Sequence, residues 1–110
     1  MPAFAIAHLR DVQFGPDIVH YLERIDATLA PFGGQFRVHG ASAEAMEGQW
    51  IGDIVVVEFP DLARARAWYR SEDYQAIVPL RSRNSIDEVI LVDGVDGGHR
   101  ATDILAGVGA

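Results

Sequence analysis

Ile54-Val55-Val56-Val57-Glu58-Phe59-Pro60-Asp61-Leu62-Ala63-Arg64-Ala65-Arg66-Ala67-Trp68-Tyr69-Arg70-Ser71-Glu72-Asp73-Tyr74 is the stretch that decides the fold. Ile54 to Phe59 is the most apolar, β-branched run in the chain, and such a run suits a strand covered on both faces. Pro60 has no N–H for a ladder, so the strand should stop there. Asp61 can accept a bond from the free N–H groups of the next turn and reads as an N-cap. Leu62, Ala65 and Tyr69 then recur at helical spacing. Ser71 can cap a second short helix, with Glu72 and Asp73 favourable against its dipole. Tyr74, Ile77 and Val78 form its inner face, and Pro79 is expected to end or redirect it.

Upstream, Ala3 to Leu9 reads as a first strand. Phe4, Ile6 and His8 share one face; Ala3, Ala5, Ala7 and Leu9 share the other. The small residues of that second face let another layer approach closely. Gly15-Pro16-Asp17 opens a helix with proline at its first position, and Ile18, Leu22, Ile25 and Leu29 form its buried stripe. Pro31 ends it and Gly33-Gly34 turns the chain. Gln35 to Gly40 is a second strand, which Ala45-Met46-Glu47 could extend beyond a bulge, with Gly48 or Gly52 near the turn and Trp50 near the start of the third strand. Downstream, Ser85 to Val92 alternates as a fourth strand. Residues 1–95 are read as one domain and 96–110 as a tail.

The order strand, helix, strand, strand, helix, strand is the ferredoxin-like βαββαβ arrangement, an α+β fold with a four-stranded antiparallel sheet. Right-handed crossovers place the third strand between the first and second, and the fourth beside the first. Both helices then cover one face. The other face keeps apolar residues from several strands, so a second copy is expected to cover it, as a homodimer.

Composition narrows the function classes. The 110 residues are 49% hydrophobic and 23% charged, an ordinary globular balance. A net charge of −7 repels phosphate backbones, so no nucleic-acid partner is expected. With no cysteine there is no disulfide, no thiolate zinc site and no cysteine nucleophile. No apolar run approaches the ~20 residues of a membrane span. The N-terminus lacks a signal-peptide layout, so no membrane partner and a cytoplasmic location are expected.

Leu29-Ala30-Pro31-Phe32-Gly33-Gly34-Gln35-Phe36-Arg37-Val38-His39-Gly40 resembles one block of the family known as domain of unknown function 1330. Val57-Glu58-Phe59-Pro60 fits a second block, followed by Ala65 to Gln75. Leu80-Arg81 and Ile90-Leu91-Val92-Asp93-Gly94-Val95 also fit, so the resemblance runs over residues 2–95. It implies a place in the dimeric α/β-barrel superfamily, in which two ferredoxin-like units close their sheets into a barrel with helices outside. Members of that superfamily include cofactor-free monooxygenases, muconolactone-type isomerases, stress-induced binding proteins and haem-dependent enzymes. The scaffold hosts several chemistries and by itself selects none.

The inferred topology gathers candidate residues at one sheet end. His8 and His39 lie there, together with Arg83, Asn84 and Ser85. The helix after the third strand returns Trp68 and Tyr69 toward the same end. A cleft between helices and sheet would have aromatic walls and a few polar groups. His8 can serve as a catalytic base, because imidazole titrates near neutrality; equally, it can be a strand-end histidine bonded to a neighbour. His39 can bind a ligand or face the barrel side. Arg81 and Arg83, with Asn84 and Ser85, can hold a carboxylate or enolate oxygen, or pair with Glu and Asp across the dimer. Trp68 and Tyr69 can stack on an aromatic ligand or form core. No His-x-His pair occurs, so no metal is expected, and no cofactor. Two function classes result. One is cofactor-independent isomerase or monooxygenase-like chemistry on a small molecule, and the other a non-catalytic binding or dimerisation module. Cavity volume separates them.

Overall fold

The structure is a computed structural model, described for residues 1–107; the last three residues of the expected tail lie outside the described residues. The elements are β1 (Ala3–Arg10), α1 (Pro16–Leu29), β2 (Gln35–Val38), β3 (Asp53–Phe59), α2 (Leu62–Arg70), α3 (Glu72–Ser82) and β4 (Ile86–Asp93). Short 3-10 turns follow α1 at Ala30–Phe32 and lie in the tail at Ala101–Gly107. The strands form one sheet in the order β2-β3-β1-β4, and every neighbouring pair is antiparallel. This is the ferredoxin-like α+β topology that the element order and crossover handedness predict.

The caps hold α2 and α3 in place. Asp61 Oδ1 accepts the Arg64 N–H at 2.8 Å and starts α2. Ser71 closes α2 and opens α3: its hydroxyl donates to the Trp68 carbonyl at 2.7 Å and accepts the Tyr74 N–H at 3.2 Å. The helices cover the sheet face that carries Ala3, Ala5, Val57 and Phe59, all buried. Leu29, Phe59 and Tyr74 are the largest fully buried side chains, so the core sits between that face and the helices.

Five local expectations are corrected. In α1 the stripe is Ile18, Tyr21, Ile25, Thr28 and Leu29, while Leu22 is 41% exposed; the stripe turns toward Arg81 and Tyr74 of α3, which meet the Tyr21 ring. α3 runs through Pro79 to Ser82. Pro79 is exposed while Ile77 and Arg81 on either side of it are buried. Packing therefore carries the helix past a missing N–H on its solvent side. β2 ends at Val38 after a register shift, and Ala45-Met46-Glu47 forms no strand but an exposed loop. Within one chain β3 is covered on one face only: Val57 and Phe59 are buried, whereas Ile54 and Val56 on the other face are half-buried. Finally, the layers approach closely at Ala3 and Ala5, but toward Ala7 and Leu9 a cavity opens between them.

The chain enters β3 tightly against β1. Gly52 has φ +102°, and a Cβ there would sit 2.1 Å from the Leu9 carbonyl oxygen. Only glycine fits this approach.

Candidate functional site

A cavity of about 310 Å³ lies between α1 and the sheet. Its floor follows from strand alternation. Ala5, Ala7 and Leu9 of β1 face it with Val55 and Val57 of β3 and Val89 of β4. Ala7 supplies little bulk, so space remains between it and the helix layer. Ile18, Tyr21 and Ile25 of α1 form the roof, and Trp68 and Tyr74 close the deep end. Phe14, 76% exposed, stands with the exposed His39, Gly40 and Asp53 where the cavity meets solvent.

The deep end holds a linked polar group. Arg81 is 6% exposed and lines the cavity. Its Nη1 donates to Asp87 Oδ2, and its guanidinium lies 5.7 Å from the Tyr21 ring centroid. Ser85 Oγ lies 2.8 Å from Asp87 Oδ2 and 2.9 Å from the Arg81 carbonyl. The Tyr21 and Tyr74 hydroxyls are 2.8 Å apart. Burial, reinforced by Tyr74, pushes the Tyr21 pKa up, so this phenol stays neutral. Burial alone would lower the Arg81 pKa, but Tyr74, Tyr21 and Asp87 outweigh it and the guanidinium stays charged. Trp68 Nε1 donates to Thr28 Oγ1 at 3.0 Å.

Of the candidates read from sequence, His39, Trp68 and Ser85 line the cavity. His39 also stacks on Phe36, with centroids 4.4 Å apart. His8 lies on the opposite face of the sheet, because Ala7 and Leu9 face the helices and side chains alternate. Its Nε2 is 2.6 Å from the Ile51 carbonyl, and its ring stacks on Trp50 at 4.3 Å. Arg83 is exposed and 3.6 Å from Asp17. Asn84 donates to Asp17 at 3.1 Å and to the Leu80 carbonyl at 2.8 Å. Both therefore serve the α3–α1 junction and not the cavity wall. Tyr69 faces a separate surface depression with Arg66, Arg70, Gln75 and Leu91. His8, Arg83 and Asn84 therefore do not share one cleft with the cavity. Sequence reading missed Tyr21, whose spacing of three from Ile18 and four to Ile25 was the available signal.

Among the described residues no three histidine, aspartate or glutamate side chains gather as a metal site. No helix among them is long and apolar enough to cross a membrane.

Solved structures share the fold at low identity. A protein of unknown function from Rhodopseudomonas palustris, RPA0582, superposes with TM-score 0.64 at 16% identity, over 86% of this chain and 83% of that one. A dimeric ferredoxin-like protein of unknown function from Jannaschia sp. CCS1 gives 0.58 at 10%, over 86% and 100%. HapK from Hahella chejuensis gives 0.56 at 22%, over 92% and 99%. No curated protein matches the chain. A family model matches residues 2–95, which is most of the chain, and the chain belongs to that family, described as Domain of unknown function (DUF1330).

Proposed function

We propose that this protein binds a small, largely apolar molecule in the cavity beneath α1, where it meets Trp68, His39 and Ser85. One observation carries the reading: about 310 Å³ of space is walled chiefly by alanine, valine, leucine, isoleucine and aromatic side chains. That volume lies at the lower end of small-ligand pockets, which are apolar with few polar groups. A side-chain-filled interior would leave voids hardly larger than a water. Titration with 2-naphthol, followed by tryptophan emission, tests this. Ala7→Phe should occupy the cavity and weaken binding by about tenfold or more, with the circular dichroism spectrum retained. Unchanged affinity in that variant would overturn the reading.

Catalysis at this site, either isomerisation or cofactor-independent monooxygenase-like oxidation, needs a base at its wall. His39 is the imidazole that lines it, so His39 takes the role first considered for His8.

The same reading includes a homodimer formed sheet to sheet. On the sheet face away from the helices, Ile86, Ile90 and Val92 are 55%, 54% and 42% exposed. Phe4, Ile6, Ile54 and Val56 flank them on β1 and β3, half-buried. His8 and the Arg10–Glu88 pair share this face, but its apolar cluster of Phe4, Ile6, Val56, Ile90 and Val92 gains by burial against its own copy, and the Jannaschia protein of the same fold is described as dimeric. Sedimentation at low micromolar concentration should return the mass of two chains. A monomer mass there would refute it.

A further inference from the structure

The deep end of the cavity carries an unspent hydrogen-bond donor. Tyr21 and Tyr74 are 8% and 2% exposed, and both line the cavity. Their oxygens lie 2.8 Å apart, so one hydroxyl donates to the other. Each hydroxyl has one proton and two lone pairs. The pair therefore holds two protons, and its mutual bond uses one. Among the described residues the second proton has no acceptor. Arg81 beside the pair is a cation and can only donate. A ligand that fills the cavity, displaces its water and leaves this donor unpaired incurs a free-energy cost. A ligand that brings an acceptor oxygen removes that cost.

Charge at the site is already matched. The Arg81 guanidinium is bonded to Asp87, which Ser85 also meets at 2.8 Å. Asp53 stands in the wall near the mouth. An entering anion would lose its hydration, pass Asp53 in the wall, and find in Arg81 a cation already bonded to a carboxylate. A neutral ligand avoids both penalties.

We propose that the ligand is an uncharged, ring-sized carbonyl compound (a ketone, quinone or lactone) whose oxygen accepts the spare hydroxyl proton of the Tyr21–Tyr74 pair. This rests on the reading of the cavity as a small-molecule site and adds its chemical class.

Three probes of similar size test it on the wild-type chain by calorimetry: 1-tetralone, its hydrocarbon parent tetralin, and 1-naphthoate. The ketone should bind about five- to tenfold more tightly than tetralin, and the carboxylate no better than tetralin. Tyr21→Phe/Tyr74→Phe removes both hydroxyls and keeps both rings. Removing both partners of a buried bond is nearly neutral for stability, and the variant should bind ketone and hydrocarbon equally. Equal affinities in the wild type, or a ketone advantage that survives in the double variant, would overturn the carbonyl assignment and leave the cavity reading intact. Tightest binding by the carboxylate would overturn it in favour of an anion site at Arg81. Failure of all three probes to bind would overturn the cavity reading and this assignment with it.

Discussion

Trp68→Ala should lower the unfolding free energy by about 3–5 kcal/mol, the usual cost of removing a buried large aromatic. Trp68 is 2% exposed. Its ring lies 4.0 Å from the Tyr74 ring and 5.3 Å from that of Phe59, between centroids. Its indole N–H donates to Thr28, so truncation removes packing and a buried bond together. The site borders the existing cavity, so the void would join it instead of collapsing. A domain of this size is stable by only about 5–15 kcal/mol, so the variant should unfold at much lower denaturant. His8→Ala provides the contrast. That histidine is half-buried; it bonds the Ile51 carbonyl, worth about 1 kcal/mol, and stacks on the exposed Trp50 ring. Urea midpoints of the two variants decide the matter, and equal losses would refute the burial assigned to Trp68.

Arg81→Met should cost a comparable amount, about 3–5 kcal/mol, by a different route. The Arg81 and Asp87 side chains are 7% and 13% exposed. Removing the guanidinium leaves the Asp87 carboxylate with little water and only Ser85 beside it. An uncompensated buried charge is expensive, whereas an apolar pair in the same volume is often neutral. Arg81→Met/Asp87→Leu should therefore recover much of the loss. The two single losses should exceed the double by a coupling of about 0.5–3 kcal/mol. Denaturant curves for the three variants measure it, and strict additivity would mean that the two groups act independently.

The local signals in the chain were strong where one side chain bonds its own backbone. Asp61 and Ser71 cap α2 and α3 as their residue types and positions require. Elsewhere a stronger distant interaction overrode the local one. Pro79 is a helix breaker by its own chemistry, yet burial of Ile77 and Arg81 carries α3 past it. Leu22 is more apolar than Tyr21, yet the ring of Tyr21 points inward, where the Tyr74 hydroxyl and Arg81 receive it. The expected site shows the same division. His39, Trp68 and Ser85 reach the cavity, while His8, one residue from Ala7, faces away from it.

From the sequence alone came the kinds of element, their order and therefore the strand order of the sheet. These rest on short-range periodicity, caps and the handedness of crossovers, which act within or between neighbouring segments. Alternation along β1 also divides the strand into two faces, with alanines on one and His8 on the other. Which of those faces the helices cover is a matter for the tertiary structure, because a period of two is symmetric between them. The cavity is likewise a tertiary property. Its volume is what remains after side chains from β1, α1, β3, α2, α3 and β4 have packed, and no one segment carries that difference.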